Sequence, residues 1–254
     1  VRVRDGWRLS VGTLTALPVA PPAEVTRGTA RLAVLLAPVA VAPLALLVVA
    51  AGLLVRETAV PVLPAAVLAV GVLALGTRAL HWDGLSDVAD GLTASYDRER
   101  SLAVMKSGTS GPAGTVAVLV VVLLQVTALA TLLGELRGAV LAAALVCLSR
   151  GALAVVCSSG VPPARTDGLG VGFTGSVPVA ATAVLWLGLA AVASAVGAWA
   201  GLPWWRGALA AAVTLLALLW LVRRTTARFG GVTGDVMGAA VEVALATALL
   251  VCAG

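Results

Sequence analysis

Apolar residues fall along this chain in seven long runs, roughly 32–55, 60–80, 114–133, 138–157, 178–200, 207–222 and 236–253. Each is long enough, or nearly so, to supply the about 20 residues with which a helix crosses a bilayer. The runs are apolar throughout rather than alternating, so they predict helices and not barrel strands. Even VAVLVVVLLQV, which would favour a strand in water, is expected to be helical in lipid, where a lone segment must satisfy its own backbone groups. Run 207–222 is the shortest, and Pro203, Trp204 and Trp205 ahead of it predict an interfacial anchor. A shorter stretch, Trp7 to Val19, predicts an interfacial or re-entrant segment that stops at Pro18. The pattern as a whole predicts an all-α fold, a polytopic integral membrane bundle of about seven transmembrane helices. Residues 1–254 form one membrane-embedded domain in this reading, with 1–31 as a cytoplasmic or interfacial N-terminal segment. That segment lacks the apolar core and cleavage site of a secretory signal, so it is expected to stay attached.

Composition strengthens the membrane reading. Hydrophobic residues make up 60% of the chain and charged ones 11%, against about 25% charged in a soluble domain. The net charge of +5 raises nucleic acid as a partner, but Lys106 is the only lysine and no basic run is interleaved with aromatics. No nucleic acid is expected, and the lipid bilayer is the partner that accounts for the composition. The three cysteines, Cys147, Cys157 and Cys252, have no metal or CxxC spacing and read as small apolar residues.

Charge then orients the bundle. Arginine and lysine total fourteen on the N-terminal segment and every second loop, and three on the alternate loops. This positive-inside pattern predicts a cytoplasmic N-terminus and an odd number of spans. It also sends the polar, glycine-rich loops 81–113, 158–177 and 223–235 to the same side. A carrier needs polar groups along a path through the bilayer. Polarity gathered at one face instead predicts an enzyme that works at the membrane surface.

The densest of these loops begins HWDGLSDVADGL. Asp83, Asp87 and Asp90 stand at i, i+4 and i+7, within about 60° of arc on a helix. Carboxylates so close repel one another unless a cation or protons intervene. An all-oxygen donor set suits Mg²⁺ or Mn²⁺, and Mg²⁺ commonly bridges to substrate phosphates. Gly84 and Gly91 follow aspartates and would let a phosphate approach the backbone. His81, just ahead, reads either as an interfacial residue or as a contact to phosphate or to an acidic neighbour. Further along, Lys106 precedes Gly108, Gly111 and Gly114, whose backbone N–H groups at a helix entrance suggest an anion cradle. In the stretch 223–243, Asp235 and Glu242 share a helical face, and a carboxylate two turns into an apolar run is functional by default. Arg150 inside an apolar run needs a partner, for which one of the aspartates is a candidate. Arg165 and Arg228 sit in the other polar loops, where arginines can grip phosphate. Metal-assisted phosphoryl transfer fits this set, and no GxSxG or HExxH is present.

The residues His81 to Gly91 resemble the H-x-DG-x-x-D-x-x-DG signature of the cobalamin synthase family, the adenosylcobinamide-GDP ribazoletransferases. GTLTALPV, Asp97 to Gly114, SRGALA, ARTDGLG and GGVTGDVMGAAVE resemble further blocks of that family in order, so the likeness covers nearly the whole chain. Ala16 and Ser107 depart from it, standing where arginine and aspartate are common. The resemblance implies transfer of the adenosylcobinamide-phosphate moiety from adenosylcobinamide-GDP to α-ribazole, or its 5′-phosphate, with release of GMP. It implies Mg²⁺ as cofactor and the bacterial inner membrane as location, with the site on the cytoplasmic side. The expected metal ligands are Asp83, Asp87, Asp90 and Asp235. Lys106 is expected to be catalytic, with Asp90 or Glu242 as the base. His81, Gly84, Gly91, Arg150, Arg165 and Arg228 are expected at the substrates. A homo-oligomer, or contact with other late enzymes of that pathway, stays open. Two rivals stand beside this reading. Asp87 to Ala94 matches the start of a CDP-alcohol phosphotransferase motif, but its later glycine and aspartates are absent. A corrinoid transporter or non-catalytic membrane partner is the rival from another class.

Overall fold

The computed structural model describes residues 2–254. Among them the chain is almost wholly helical. The first helices are α1 (Val3–Leu14), α2 (Arg27–Ala40), α3 (Ala42–Glu57), α4 (Val62–Gly76), α5 (Leu80–Ala94) and α6 (Arg98–Met105). There follow α7 (Pro112–Leu132), α8 (Leu136–Arg150), α9 (Ala152–Val156), α10 (Leu169–Phe173), α11 (Val179–Trp199), α12 (Arg206–Phe229) and α13 (Gly234–Ala253). Six apolar stretches are long enough to cross a membrane, and a seventh exists if α4 and α5 together count as one. This is the all-α, multi-helix architecture that the apolar runs predict.

The layers follow from which helices bury both faces. Helices α8 and α13 are lined with small apolar residues, such as Ala139, Ala142, Ala240 and Ala244, and are buried along most of their length. Small side chains let neighbouring backbones approach closely in a membrane bundle. Helices α3, α5, α7 and α12 pack around this pair. Helix α11 packs on α8 and α12 and exposes Val184, Leu187 and Val192, an apolar face suited to lipid.

Two expectations change. The run 60–80 is not a straight span. Helix α4 has 15 residues and stops at Gly76, and α5 leaves at 89° to it. Thr77 turns its hydroxyl back to the Leu73 carbonyl at 3.1 Å, while Arg78 and Ala79 take left-handed φ angles of 57° and 56°. A left-handed backbone is uncommon outside glycine, so the surroundings must hold it. They do so through α1. The Arg78 guanidinium donates to the Gly12 carbonyl at 2.8 Å, and the Ala16 N–H donates to the Gly76 carbonyl at 2.7 Å.

The N-terminal segment also differs. Its helix starts at Val3 and ends at Leu14, before Pro18 is reached. It buries Asp5, Gly6, Ser10, Val11 and Leu14 toward α2 and leaves Val3, Arg4 and Trp7 exposed. Gly6 permits the contact, because a Cβ there would stand 2.6 Å from the Leu32 Cβ.

The loop between α9 and α11 is fastened to the start of α13. Ala164 N–H donates to the Val232 carbonyl at 2.9 Å, and Val232 N–H to the Pro162 carbonyl at 3.0 Å. Arg98 adds a second fastening, donating to the Phe229 carbonyl at 2.7 Å and to the Ala164 carbonyl at 2.9 Å.

Candidate active site

Helices α5 and α13 pack closely, and glycines allow it. A Cβ on Gly84 would stand 2.6 Å from the Asp235 carbonyl oxygen, and one on Gly238 would stand 3.0 Å from the His81 Cα. Asp83 and Asp87 on α5 are thereby brought beside Asp235 at the first turn of α13. Thr233 caps that helix and donates its hydroxyl to Asp235 at 3.1 Å. Arg165, from the fastened loop, stands 3.9 Å from Asp235 and donates to the Leu102 carbonyl at 3.0 Å.

The four carboxylates around this point are crowded. Asp87 lies on α5, outside the long apolar helices. Burial, followed by the charges of Asp83, Asp235 and Asp90, pushes its carboxyl up to about 6. A divalent cation would relieve that repulsion. The donors are all oxygen, which suits Mg²⁺. Among the described residues no three carboxylate, imidazole or thiol groups already converge on one point. Mg²⁺ is usually held by one or two carboxylates, with substrate phosphates completing its shell. Asp83, Asp87 and Asp235 fit a cation that arrives with a diphosphate.

A cavity of about 330 Å³ opens beside these residues. Its polar rim carries His81, Asp83, Arg165, Asp167 and Asp235, and its apolar walls include Leu14, Val34, Leu153, Phe173 and Met237. Lys106 reaches this rim indirectly, through an exposed 3.2 Å ion pair with Asp167. The lysine's hydrogen bond and charge hold the Asp167 carboxyl below its ordinary range.

Behind His81 lies a buried polar network. Glu242 Oε1 stands 3.4 Å from the imidazole Nδ1, too long for a full hydrogen bond. Gln125 on α7 donates to Glu242 Oε2 at 2.8 Å. Arg150 is 1% exposed, donates to Ser149 and to the Val146 carbonyl, and faces the charge of Glu242. The charge that offsets Arg150 is therefore Glu242 and not an aspartate. Gln125 was missed by sequence reasoning, although a lone amide within VVVLLQV was the available signal.

Several expected residues do other work. Both Asp90 oxygens accept backbone N–H groups, from Gly111 at 2.6 Å and Gly114 at 2.9 Å, at the N-terminus of α7. The glycine cradle expected for an anion is thus filled by the chain's own carboxylate. A Cβ on Gly114 would meet Ser86 Oγ and Asp90 Oδ2, so the residue must be small. Gly84 serves helix packing against Asp235, and Gly91 serves packing against Met105 and Phe229; neither lines the cavity described above. Arg228 donates to the Ser95 carbonyl and lies 4.5 Å over the Tyr96 ring, which holds the turn before α6 and leaves the guanidinium away from the cavity.

Comparison with known proteins identifies the family. The family model of cobalamin-5-phosphate synthase matches residues 6–253. The chain belongs to the cobalamin-5-phosphate synthase family. A protein from Nocardioides sp. (strain ATCC BAA-499 / JS614), named adenosylcobinamide-GDP ribazoletransferase, is 55% identical over 98% of both chains. One of the same name from Frankia casuarinae is 39% identical over 97% of this chain and 93% of its own. One from Pseudomonas aeruginosa strain PAO1 is 41% identical over 65% of this chain and 64% of its own. No solved structure matches the chain. A match over almost the full length sets aside the CDP-alcohol phosphotransferase and transporter readings. This cobalamin-5-phosphate synthase family member is an enzyme whose helices suit a membrane.

Proposed function

We propose that the chain joins adenosylcobinamide-GDP to α-ribazole, or its 5′-phosphate, with release of GMP, and that Mg²⁺ bound by Asp83, Asp87 and Asp235 serves the reaction. Membership of the family over residues 6–253 carries the activity. Asp83 and Asp235 at the rim of one nucleoside-sized cavity, with Asp87 crowded against them, support the metal. Mg²⁺, when bound, supplies charge that offsets the diphosphate and its transition state.

The chain's own groups account for the rest. A ring hydroxyl of the ribose, free in α-ribazole and in its 5′-phosphate alike, bonds through its oxygen to the phosphorus nearer the corrinoid, and the bond from that phosphorus to the bridging oxygen breaks. GMP departs with that oxygen. Arg165 is at the rim, part-buried, and its guanidinium suits the phosphate oxygens. His81 accepts the proton of the attacking hydroxyl. Glu242 behind Nδ1 favours the tautomer that carries its hydrogen there, which leaves Nε2 as the acceptor. Lys106 acts through Asp167 and steadies the rim. The excess of arginines on the loops that carry these residues supports a cytoplasmic site in the bacterial inner membrane.

Purified chain given adenosylcobinamide-GDP, α-ribazole and Mg²⁺ tests the reading. GMP and adenosylcobalamin should form in equal amounts. Mg²⁺-independent formation, or none, would contradict it.

A further inference from the structure

The amphipathic α1 has no part in the chemistry above, yet it walls the cavity. Ser10, Thr13 and Leu14 line it from one face of α1, beside Ala33 and Val34 of α2. Thr13 is already satisfied, since its hydroxyl donates to the Leu9 carbonyl. Ser10 is 1% exposed and its hydroxyl has no hydrogen-bond partner. A buried unpaired hydroxyl is costly and needs an explanation. The rest of this wall is hydrocarbon.

We propose that this wall receives the base of α-ribazole, with Ser10 donating to its one free ring nitrogen. The inference rests on the ribazole transfer proposed above and assigns the part of the site that selects the acceptor. A dimethylbenzimidazole is planar and apolar, with a single acceptor once the ribose is attached. One unpaired hydroxyl in an apolar wall matches it. Guanine carries several donors and acceptors around its edge, and burying them against Leu14, Ala33 and Val34 would leave most of them unpaired. The ribose then points toward the rim, where His81, Asp83 and Asp235 stand. The cavity of about 330 Å³ lies at the lower end of the size range for small-molecule sites.

The test measures binding and turnover separately in detergent-solubilised, full-length protein. Calorimetry follows α-ribazole and its 5,6-dimethylindole riboside analogue, which lacks the ring nitrogen. Ser10→Ala should weaken α-ribazole binding roughly three- to tenfold, as loss of one neutral hydrogen bond does. The wild type should lose a similar factor with the indole analogue, and Ser10→Ala should show no further loss. Val34→Phe, which fills the wall, should abolish ribazole binding while calorimetric binding of adenosylcobinamide-GDP stays within twofold. If Ser10→Ala leaves ribazole binding unchanged, or weakens the corrinoid nucleotide instead, the assignment falls. Equal losses for both ligands in the variant would also overturn it, because they would mean a general disturbance of the wall. Wild-type protein that binds α-ribazole in this manner but releases no GMP would keep the pocket and sink the transfer reaction.

Discussion

At the scale of single residues, the carboxylates divide into two kinds. Asp90 has both oxygens on backbone N–H groups at the start of α7. Asp90→Ala should therefore lower stability by about 2 kcal/mol, the cost of leaving two buried donors unpaired. Thermal unfolding in detergent reads this, alongside the Mg²⁺ concentration for half-maximal rate, which should not move. An unchanged melting temperature with weakened Mg²⁺ activation would make Asp90 a ligand instead. Asp87 is of the other kind. Its carboxyl is raised to about 6 from an ordinary 3.8 by burial and neighbouring charge. A raised acid destabilises the folded state where it is ionised. The penalty is full above the folded value and disappears as pH falls below the unfolded one. Metal-free protein should thus gain stability from this group as pH falls from 7 toward 4. Mg²⁺ should raise the melting temperature at pH 7 and do so much less at pH 5. A Mg²⁺ effect that is the same at both values would argue against a metal on Asp87.

At the scale of elements, the site exists because α5 and α13 touch through glycine. Gly84→Ala would bring a Cβ to 2.6 Å from a backbone oxygen, which cannot turn aside as a flexible side chain can. The helices must part, at about 1–3 kcal/mol by the usual cost of overpacking, and Asp83 and Asp87 move away from Asp235. Both stability and GMP release should fall. Gly188→Ala on α11 is the control, since nothing lies within 4 Å of its Cβ and alanine favours a helix. Equal behaviour of the two variants in unfolding and turnover would remove the close approach from the account.

These elements also mark how far the sequence could be read. The long apolar runs gave their helices because length and hydropathy are local properties. The aspartate register was legible for the same reason, since helical spacing alone aligns Asp83 and Asp87. What stayed hidden depended on partners distant in sequence. Nothing near Gly84 says that its space is taken by Asp235, and nothing near Arg228 says that it lies over Tyr96. The break at Arg78 and Ala79 was hidden too, because the two residues that take left-handed angles are not glycines. It is imposed by contacts with α1, more than sixty residues earlier. Glu242 was legible as a charge in an apolar run, while its links to His81 and Gln125 required the fold.

At the scale of the whole molecule, the central α8 and α13 are shielded by helices that turn leucine and valine outward, and the polar groups gather at one end of the bundle. The excess of arginine on the loops at that end supports the proposal that it is cytoplasmic. Single cysteines test this on a background with Cys147, Cys157 and Cys252 replaced. Ser107→Cys should resist a membrane-impermeant maleimide in intact spheroplasts and react after lysis. Gly134→Cys, on the opposite loop, should react in both. The reverse pattern would invert the bundle and put the site outside.

The central claim is that Asp87 belongs to a metal-dependent phosphoryl-transfer site. Its most direct test is GMP release from adenosylcobinamide-GDP and α-ribazole by purified Asp87→Asn, across a Mg²⁺ titration. The account predicts a loss of about a thousandfold or more, the scale of losing a main source of transition-state charge stabilisation, in protein that still inserts and melts no lower than the wild type. Near-normal, Mg²⁺-dependent turnover by that variant would contradict it.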